Sequence, residues 1–250
     1  MSKNQKKVWV VGASSGIGRA VAEKFASNDW KVAVSARTKE VLEQMSKNPN
    51  IFSYPLDVTD QKQINNVFND IITEFGDLDL CIFSSGTYDP KDESKIDTDK
   101  IKNVIKVNFF GVVDCVKTIE DYFKNKKSGH ISIVSSIAGY RGLPNSSGYG
   151  PSKAALTNFA ESIYFDFKKY GVRVSIISPG FIKTPLTDKN EFPMPFLRTP
   201  DYAAKEIFNG LVKSNAFEIH FPKGLTLTLK FLRILPYRLY LFLVDKLVKR

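Results

Sequence analysis

Short apolar runs typical of buried β-strands alternate with stretches of helical periodicity along most of the chain. Seven runs have strand character, and they read KVWVVGA, KVAVSAR, IFSYPLDV, LDLCIFSSG, HISIVSSIAG, RVSIISPG and FEIHFP. Several of them are apolar at successive positions, which is typical of parallel strands covered by helices on both faces. The pattern therefore predicts a three-layer, doubly wound α/β fold with a parallel sheet of about seven strands.

Helical periodicity is clearest in four of the intervening stretches. One begins after Gly16, and the others span about 61–75, 98–123 and 147–170. The last has apolar residues at three- and four-residue spacing, and Gly171 follows it as a C-terminal stop signal. No internal repeat or low-complexity linker interrupts the alternation, so we expect a single domain.

The composition is that of a globular protein, with its positive charge concentrated near the C-terminus. Of 250 residues, 43% are hydrophobic and 25% are charged, which disfavours disorder. The formal net charge is +10, and the segment 223–250 contributes seven basic residues against one acidic residue. Because this basic character belongs mainly to a tail, we expect no nucleic-acid surface over the body.

Cysteine and histidine usage points to a reduced compartment and to no metal. Cys81 and Cys115 have no CxxC neighbour, and the N-terminal MSKNQKKVWVVGAS lacks a signal-peptide pattern, so we expect a cytoplasmic protein. His130 and His220 stand far apart without clustered carboxylates or thiols, which predicts that no metal site is present.

A glycine loop, VVGASSGIGRA, follows the first strand and opens the first helix. Glycine permits a tight turn and the close approach of a pyrophosphate, and the helix N-terminus adds N–H donors and partial positive charge. A glycine-rich turn without a ligand is the alternative. The predicted cofactor-binding residues here are Gly12, Ser14, Ser15, Gly16, Ile17 and Gly18.

The ends of the second and third strands carry the expected nucleotide specificity. Ala36 and Arg37 occupy the place where an NAD site usually presents an acid, and a guanidinium suits a 2′-phosphate, so NADP(H) is favoured over NAD(H). A solvated arginine is the alternative. In PLDVTD, Asp57 is suited either to bind an adenine amine, with Val58 against the ring, or to cap the next helix as Asp60 does.

A tyrosine and a lysine are spaced four residues apart in GYGPSKAAL. With Pro151 in the first turn, Tyr149 and Lys153 are expected to share one face at the start of a helix. Ser135 and Ser136, thirteen residues upstream, end a buried strand at the edge of the sheet where ligands bind. By itself, the tyrosine–lysine spacing also fits an ordinary solvated pair.

The ordered set of motifs resembles the short-chain dehydrogenase/reductase family, a group of Rossmann-fold enzymes, over about residues 6–222. The matching positions are Gly12, Gly16, Gly18, Asp57, Asn108, Ser136, Tyr149, Lys153, Pro179 and Gly180. One departure lies after the fourth strand, where this chain has Phe83-Ser84-Ser85-Gly86 in place of Asn-Asn-Ala-Gly. There we expect hydroxyls to replace the amide hydrogen bonds to the neighbouring strand, while Gly86 still admits the adenosine ribose.

The resemblance implies catalytic roles for four residues. Tyr149 would be the general acid/base, Lys153 would stabilise its phenolate and hold the nicotinamide ribose, and Ser136 would bind the substrate oxygen. Asn108 would support a water-linked proton relay; a buried amide that interrupts an apolar helix is the alternative. The remaining implied cofactor contacts are Ser84, Ser85, Gly86, Pro179, Gly180, Ile182 and Thr184, the last two at the carboxamide.

The segment LTDKNEFPMPFLRTP lies where the family places its substrate lid. Its apolar members favour an apolar or lipid-derived carbonyl or alcohol; a lid over a small substrate and a subunit contact are the alternatives. The tail 223–250 follows a dehydrogenase domain at 1–222, and three basic residues interrupt its apolar run, which disfavours a transmembrane span. Two amphipathic helices hinged at Pro236 are expected, either docked on a membrane surface or packed on the body or a second subunit.

The sequence thus predicts an NADPH-dependent oxidoreductase that interconverts a carbonyl and a secondary alcohol, as a homodimer or homotetramer. A 3-oxoacyl thioester reductase, whose basic tail meets an acidic carrier protein, is the nearest alternative. A catalytically silent NADP(H)-sensing protein is an alternative from another class.

Overall fold

The computed structural model describes residues 5–88 and 96–248, and within them seven parallel strands form one sheet in the order β3-β2-β1-β4-β5-β6-β7. The strands are β1 Lys7–Val11, β2 Lys31–Ser35, β3 Ile51–Ser53, β4 Leu80–Phe83, β5 His130–Val134, β6 Arg173–Pro179 and β7 Glu218–Phe221. This confirms the expected doubly wound sheet and single domain. The third strand is shorter than its apolar run, although the N–H groups of Tyr54 and Leu56 still donate to the carbonyl oxygens of Val34 and Ala36 beyond its end.

Nine α-helices lie within the described part of the chain. They are α1 Gly16–Ala26, α2 Lys39–Met45, α3 Gln61–Phe75, α4 Thr98–Ile105, α5 Gly111–Lys126, α6 Tyr149–Lys168, α7 Pro200–Lys213, α8 Lys223–Arg233 and α9 Tyr237–Val248. The stretch expected to be one long helix from about 98 is divided between α4 and α5, because a π-helical turn, Lys106–Phe110, joins them.

Two hydrophobic clusters cover the two faces of the sheet. Side chains alternate along each strand, so Val8 and Val10 face one layer while Trp9 and Val11 face the other. The first cluster includes residues from α1, α2 and α7, and the second includes residues from α3, α5 and α6. This layering leaves the carboxyl ends of the strands free to carry loops, which is where open α/β sheets bind ligands.

Helices α8 and α9 flank Pro236, as the sequence predicts, and pack on the body through one face. Their buried side chains include Leu225, Leu232 and Tyr240. The predicted tail starts where α8 starts, at Lys223; its last two basic residues, Lys249 and Arg250, lie outside the described residues. No helix in the described ranges has the length and apolar character that crossing a bilayer requires.

Candidate active site

A cleft of about 450 Å³ opens at the carboxyl ends of the strands. The loops that follow β1 to β6 all contribute to its lining. Every predicted site residue except Asn108 lines it. Those residues are Gly12, Ser14, Ser15, Gly16, Ile17, Gly18, Arg37, Asp57, Val58, Ser84, Ser85, Gly86, Ser136, Tyr149, Lys153, Pro179, Gly180, Ile182 and Thr184.

The glycine loop forms a close-fitting cradle at one end of the cleft. Gly12 has φ +86°, and a Cβ there would lie 2.6 Å from the backbone nitrogen of Ser85. A Cβ on Gly18 would lie 2.2 Å from the carbonyl oxygen of Gly12. Ser15 precedes α1 without a side-chain capping hydrogen bond, and the first turn of α1 has no acidic residue. The loop therefore fits an anionic group such as a pyrophosphate.

The serine pair after β4 differs from the expectation. The backbone N–H of Ser84 donates to the carbonyl oxygen of Val11 at 2.8 Å and continues the ladder between β4 and β1. The buried Ser85 hydroxyl has no hydrogen-bond partner among the described residues, so it does not replace an amide bond to the neighbouring strand. That expectation is wrong for Ser85. A buried hydroxyl without a partner costs free energy, so this serine does not strengthen the strand end as the amide would.

The positions expected to set nucleotide specificity, Arg37 and Asp57, both line the cleft. Arg37 is exposed at the end of β2, beside the buried Ala36. The Asp57 carboxylate accepts from both the N–H and the hydroxyl of Thr59 at 2.9 Å, which closes a local turn. Asp60 caps α3 by accepting from the N–H groups of Lys62 and Gln63, as expected, so Asp57 is not the capping residue.

The tyrosine–lysine pair opens α6, as its spacing predicts. Tyr149 is the first residue of the helix, and Lys153 follows one turn later with only 4% of its surface exposed. The Lys153 ammonium donates to the carbonyl oxygen of Val134 at 2.9 Å and lies 5.6 Å from the centroid of the Tyr149 ring. Burial lowers the pKa of Lys153 to about 8. A positive charge is therefore held close to the phenol ring.

The two adjacent serines after β5 have different contacts. The Ser135 hydroxyl donates to the carbonyl oxygen of Lys153 at 2.8 Å and contacts the Thr157 hydroxyl at 3.1 Å, which fixes α6 against the sheet. Ser136 begins a short 3₁₀ turn and accepts from the Ala138 N–H at 3.1 Å. Ser136 and Tyr149 both line the cleft, so the two residues border the same space.

Asn108 lies behind the cleft, within the π-helical turn, and is fully buried. Its side-chain oxygen accepts from the Thr87 N–H at 2.7 Å. Its side-chain nitrogen donates to the Thr87 carbonyl oxygen at 3.0 Å and to the Ser152 hydroxyl at 3.1 Å. The amide thus joins the loop after β4 to α6, and these bonds offset the cost of its burial. π-Helical turns occur often at functional sites.

Several residues of the site are absent from the sequence-based prediction. The Tyr88 ring lies 4.8 Å from the Tyr149 ring, centroid to centroid. The Thr187 hydroxyl donates to the Ile182 carbonyl oxygen at 2.6 Å and accepts from the Thr184 N–H at 2.9 Å, which closes the loop after β6. Tyr88 follows Gly86, a predicted site residue, by two positions, and this closeness in the sequence is the feature that could have indicated its place in the site.

The fold and the cleft together define a class of protein, a doubly wound α/β protein whose crevice carries a glycine loop and a tyrosine–lysine pair. A sequence profile described as short chain dehydrogenase matches residues 6–193. The chain belongs to the short-chain dehydrogenase family and is an NAD(P)-dependent oxidoreductase. The resemblance seen in the motifs is confirmed.

Known proteins similar to this chain include curated and solved members of the family. An uncharacterized oxidoreductase of Myxococcus xanthus is 32% identical over 236 residues, which cover 92% of this chain and 93% of that protein. The structure of ElxO with NADP bound has a TM-score of 0.77 at 28% identity and covers 90% of this chain and 99% of that one. A short chain dehydrogenase/reductase from Burkholderia phymatum in complex with NAD has a TM-score of 0.77 at 21% identity, with 90% and 92% covered, a likeness of fold.

Proposed function

We propose that this protein is an NADPH-dependent reductase that converts an apolar carbonyl compound to a secondary alcohol, with Tyr149 as the general acid. The observation that carries the proposal is the buried Lys153 ammonium, 5.6 Å from the Tyr149 ring in a cleft that Ser136 also lines. When bound, NADPH supplies the hydride that reduces the carbonyl carbon. The chain's own residues bind the substrate oxygen and deliver the proton.

Tyr149 transfers its phenolic proton to the carbonyl oxygen, so that the C=O bond becomes CH–OH and the tyrosine becomes a phenolate. A free phenol has a pKa of about 10, and the Lys153 ammonium stabilises the phenolate form. The Ser136 hydroxyl donates to the substrate oxygen and lowers the energy of its developing negative charge. Asn108 acts as a positioning residue, because its amide joins the loop containing Thr87 to the helix that carries Tyr149.

The preference for NADP(H) over NAD(H) rests on Arg37. Its guanidinium is exposed at the cleft, where it suits a 2′-phosphate, and Ala36 leaves no carboxylate to repel that group. The glycine cradle takes the pyrophosphate, and Val58 offers an apolar contact to the adenine ring. The bound NADP of the similar ElxO structure supports this preference.

An apolar substrate is supported by the segment after β6. Leu186 lines the cleft, and the aromatic residues Phe192 and Phe196 farther along the same segment are exposed. A 3-oxoacyl thioester reductase and a silent NADP(H) sensor are the competing functions. The test is NADPH oxidation with a panel of apolar ketones, aldehydes and 3-oxoacyl thioesters. Turnover of apolar ketones supports the proposal; turnover of aldehydes alone or thioesters alone, or NADPH binding without any turnover, overturns it.

Self-association is part of the proposal. Phe110, in the π-helical turn, and Phe165, on α6, are 53% and 67% exposed, on the two helical segments through which the family usually forms dimers. Burial of both rings against a second copy would remove apolar surface from water. Light scattering tests this: a dimer or tetramer is expected, and a monomer at assay concentration contradicts it.

The cytoplasmic location stays a prediction, and a peripheral membrane contact is proposed for the C-terminal helices.

A further inference from the structure

The C-terminal helices have one face on the body and another in solvent. Leu225 packs against Ile137 and Tyr140 of the body, while Leu232 and Tyr240 are buried between α8 and α9. On α8, Leu227 and Phe231 are 55% and 60% exposed and stand four residues apart, so they lie on one face of the helix. The tail is therefore docked and yet keeps an apolar surface, although burying that surface would be favourable.

This surface is larger than one helix and reaches the segment beside the cleft. The other exposed apolar side chains of the tail are Ile234, Tyr237, Leu239, Leu241 and Phe242. The Phe196 ring lies beside the start of α8, where a Cβ on Gly224 would be 3.3 Å from it. Phe196 and Leu197 are themselves exposed. We define the apolar tail surface as Phe196, Leu197 and the exposed apolar residues of the tail, which are Leu227, Phe231, Ile234, Tyr237, Leu239, Leu241 and Phe242.

The positive charge of the tail distinguishes two partners that could cover the apolar tail surface, a second copy of the protein and a lipid bilayer. The described part of the tail carries five cationic side chains and one carboxylate, Asp245, and Lys230 pairs with Glu218 on β7. The remaining cations are Lys223, Arg233, Arg238 and Lys246. A symmetric contact with a second copy brings the same patch to both sides and sets these cations against each other. An anionic lipid surface attracts them.

We propose that the apolar tail surface docks on an anionic lipid bilayer, with α8 and α9 lying in the plane of the interface. Apolar side chains rimmed by lysine and arginine are the pattern of helices that bind this way. The segment 184–187 lines the cleft and the same loop continues to Phe196 and Leu197, so docking brings the bilayer next to the cleft. This membrane docking does not require the protein to carry out the proposed reaction.

The test is flotation of the full-length protein with vesicles of phosphatidylcholine, alone or mixed with phosphatidylserine. The parent protein is expected to float only with the anionic vesicles and to be released in 1 M salt, where the screening length falls to about 3 Å. Phe231→Glu is expected to reduce the bound fraction about tenfold or more. Val212→Glu is the matched control, because it places the same charge on an exposed apolar residue of α7, outside the apolar tail surface and outside the helical segments proposed for self-association, and it is expected to bind like the parent.

A second variant tests the electrostatic part and leaves the apolar side chains themselves unchanged. Arg238→Gln combined with Lys246→Gln is expected to weaken binding to anionic vesicles severalfold. Three results overturn the proposal: equal binding of the Phe231→Glu and Val212→Glu variants, salt-insensitive binding to neutral vesicles, or a fall in oligomer mass with Phe231→Glu in light scattering, which identifies a contact between copies. NADPH oxidation with a water-soluble carbonyl, measured without vesicles, is expected to be the same for parent and Phe231→Glu, so failed docking and failed catalysis are distinguishable.

Discussion

The guanidinium carbon of Arg141 lies 4.0 Å from the ring centroid of Tyr240, and the Tyr240 hydroxyl donates to the carbonyl oxygen of Gly142 at 2.6 Å. Arg141 also donates to the carbonyl oxygens of Leu232 and Leu235, at 3.1 and 2.7 Å, where α8 ends. Both Arg141 and Gly142 belong to the loop between Ser136 and Tyr149. The C-terminal helices are therefore attached to the chain segment that connects two proposed catalytic residues.

Arg141→Ala is expected to destabilise the fold by about 2 kcal/mol, because it removes charge-assisted hydrogen bonds and a cation–π contact. Urea denaturation measures this loss. Arg141→Lys keeps the charge but lacks the planar group that reaches several carbonyl oxygens, so it is expected to recover little of the stability. Full stability of the lysine variant would show that charge alone holds the tail.

Tyr149→Phe is expected to lower the rate of carbonyl reduction about 100-fold or more, because it removes the hydroxyl proposed to donate the proton. Cofactor affinity, followed by NADPH fluorescence, is expected to change little. Tyr88→Phe is the matched control, since it removes a hydroxyl from the ring 4.8 Å away and keeps the ring contact. Parental turnover in the Tyr149→Phe variant means that another group is the acid.

The rate of reduction is expected to fall as the pH rises through about 8, the value to which burial lowers the pKa of Lys153. Above that pH the lysine is neutral and no longer stabilises the phenolate. A rate profile measured at saturating NADPH and substrate checks this. An unchanged rate well above pH 8 would remove Lys153 charge from the mechanism.

The stability of the ligand-free protein is expected to change in the opposite direction. The folded-state pKa of Lys153, about 8, lies below the ordinary 10.5, so between these values the unfolded chain binds more protons. The free energy of unfolding therefore rises with pH in that window, by up to about 3 kcal/mol from this group. The difference between parent and Lys153→Met in urea denaturation at several pH values isolates the effect; a flat difference contradicts it.

Arg37→Glu is expected to raise the KM for NADPH about tenfold or more, because it replaces a charge-assisted contact to the 2′-phosphate with a repulsion. The KM for NADH is expected to stay the same or to fall. Arg37→Lys, which retains the charge, is expected to lie between the parent and Arg37→Glu. A KM for NADPH that is unaffected by either change would show that Arg37 is only a solvated surface residue.

Gly18→Ala is expected to abolish tight NADPH binding, because the added Cβ would lie 2.2 Å from the carbonyl oxygen of Gly12. Gly142→Ala is the matched control, since a Cβ there meets nothing within 4 Å. Fluorescence titration of both variants, with circular dichroism to confirm folding, measures the difference. Equal affinities would mean that the loop has another role.

The presence of seven strands and their alternation with helices were predictable from the sequence, because both depend on short-range patterns. Loops that follow parallel strands meet at one edge of the sheet, so the residues in them could be placed in one cleft before any coordinates were known. This is why Ser136, Tyr149 and Lys153, which are distant from Gly12 in the chain, were expected near it.

The features that escaped prediction depend on long-range contacts. The π-helical turn contains Asn108, whose side chain bonds to Thr87 and Ser152, and no helical periodicity records such contacts. The attachment of the tail by Arg141 joins residues about a hundred positions apart. Ser85 was expected to bond to the neighbouring strand, yet the orientation of one hydroxyl is set by packing and not by composition.

The amide of Asn108 has a mechanical consequence for the cleft. It ties the loop after β4, on one wall, to the helix that carries Tyr149, on the other. A bulky substrate cannot push these walls apart without breaking the buried hydrogen bonds of Asn108, so the catalytic end of the cleft is stiff. Adjustment of the cleft to substrates of different size then depends on the exposed segment around Phe196. That segment is therefore the one to alter when a different substrate is wanted.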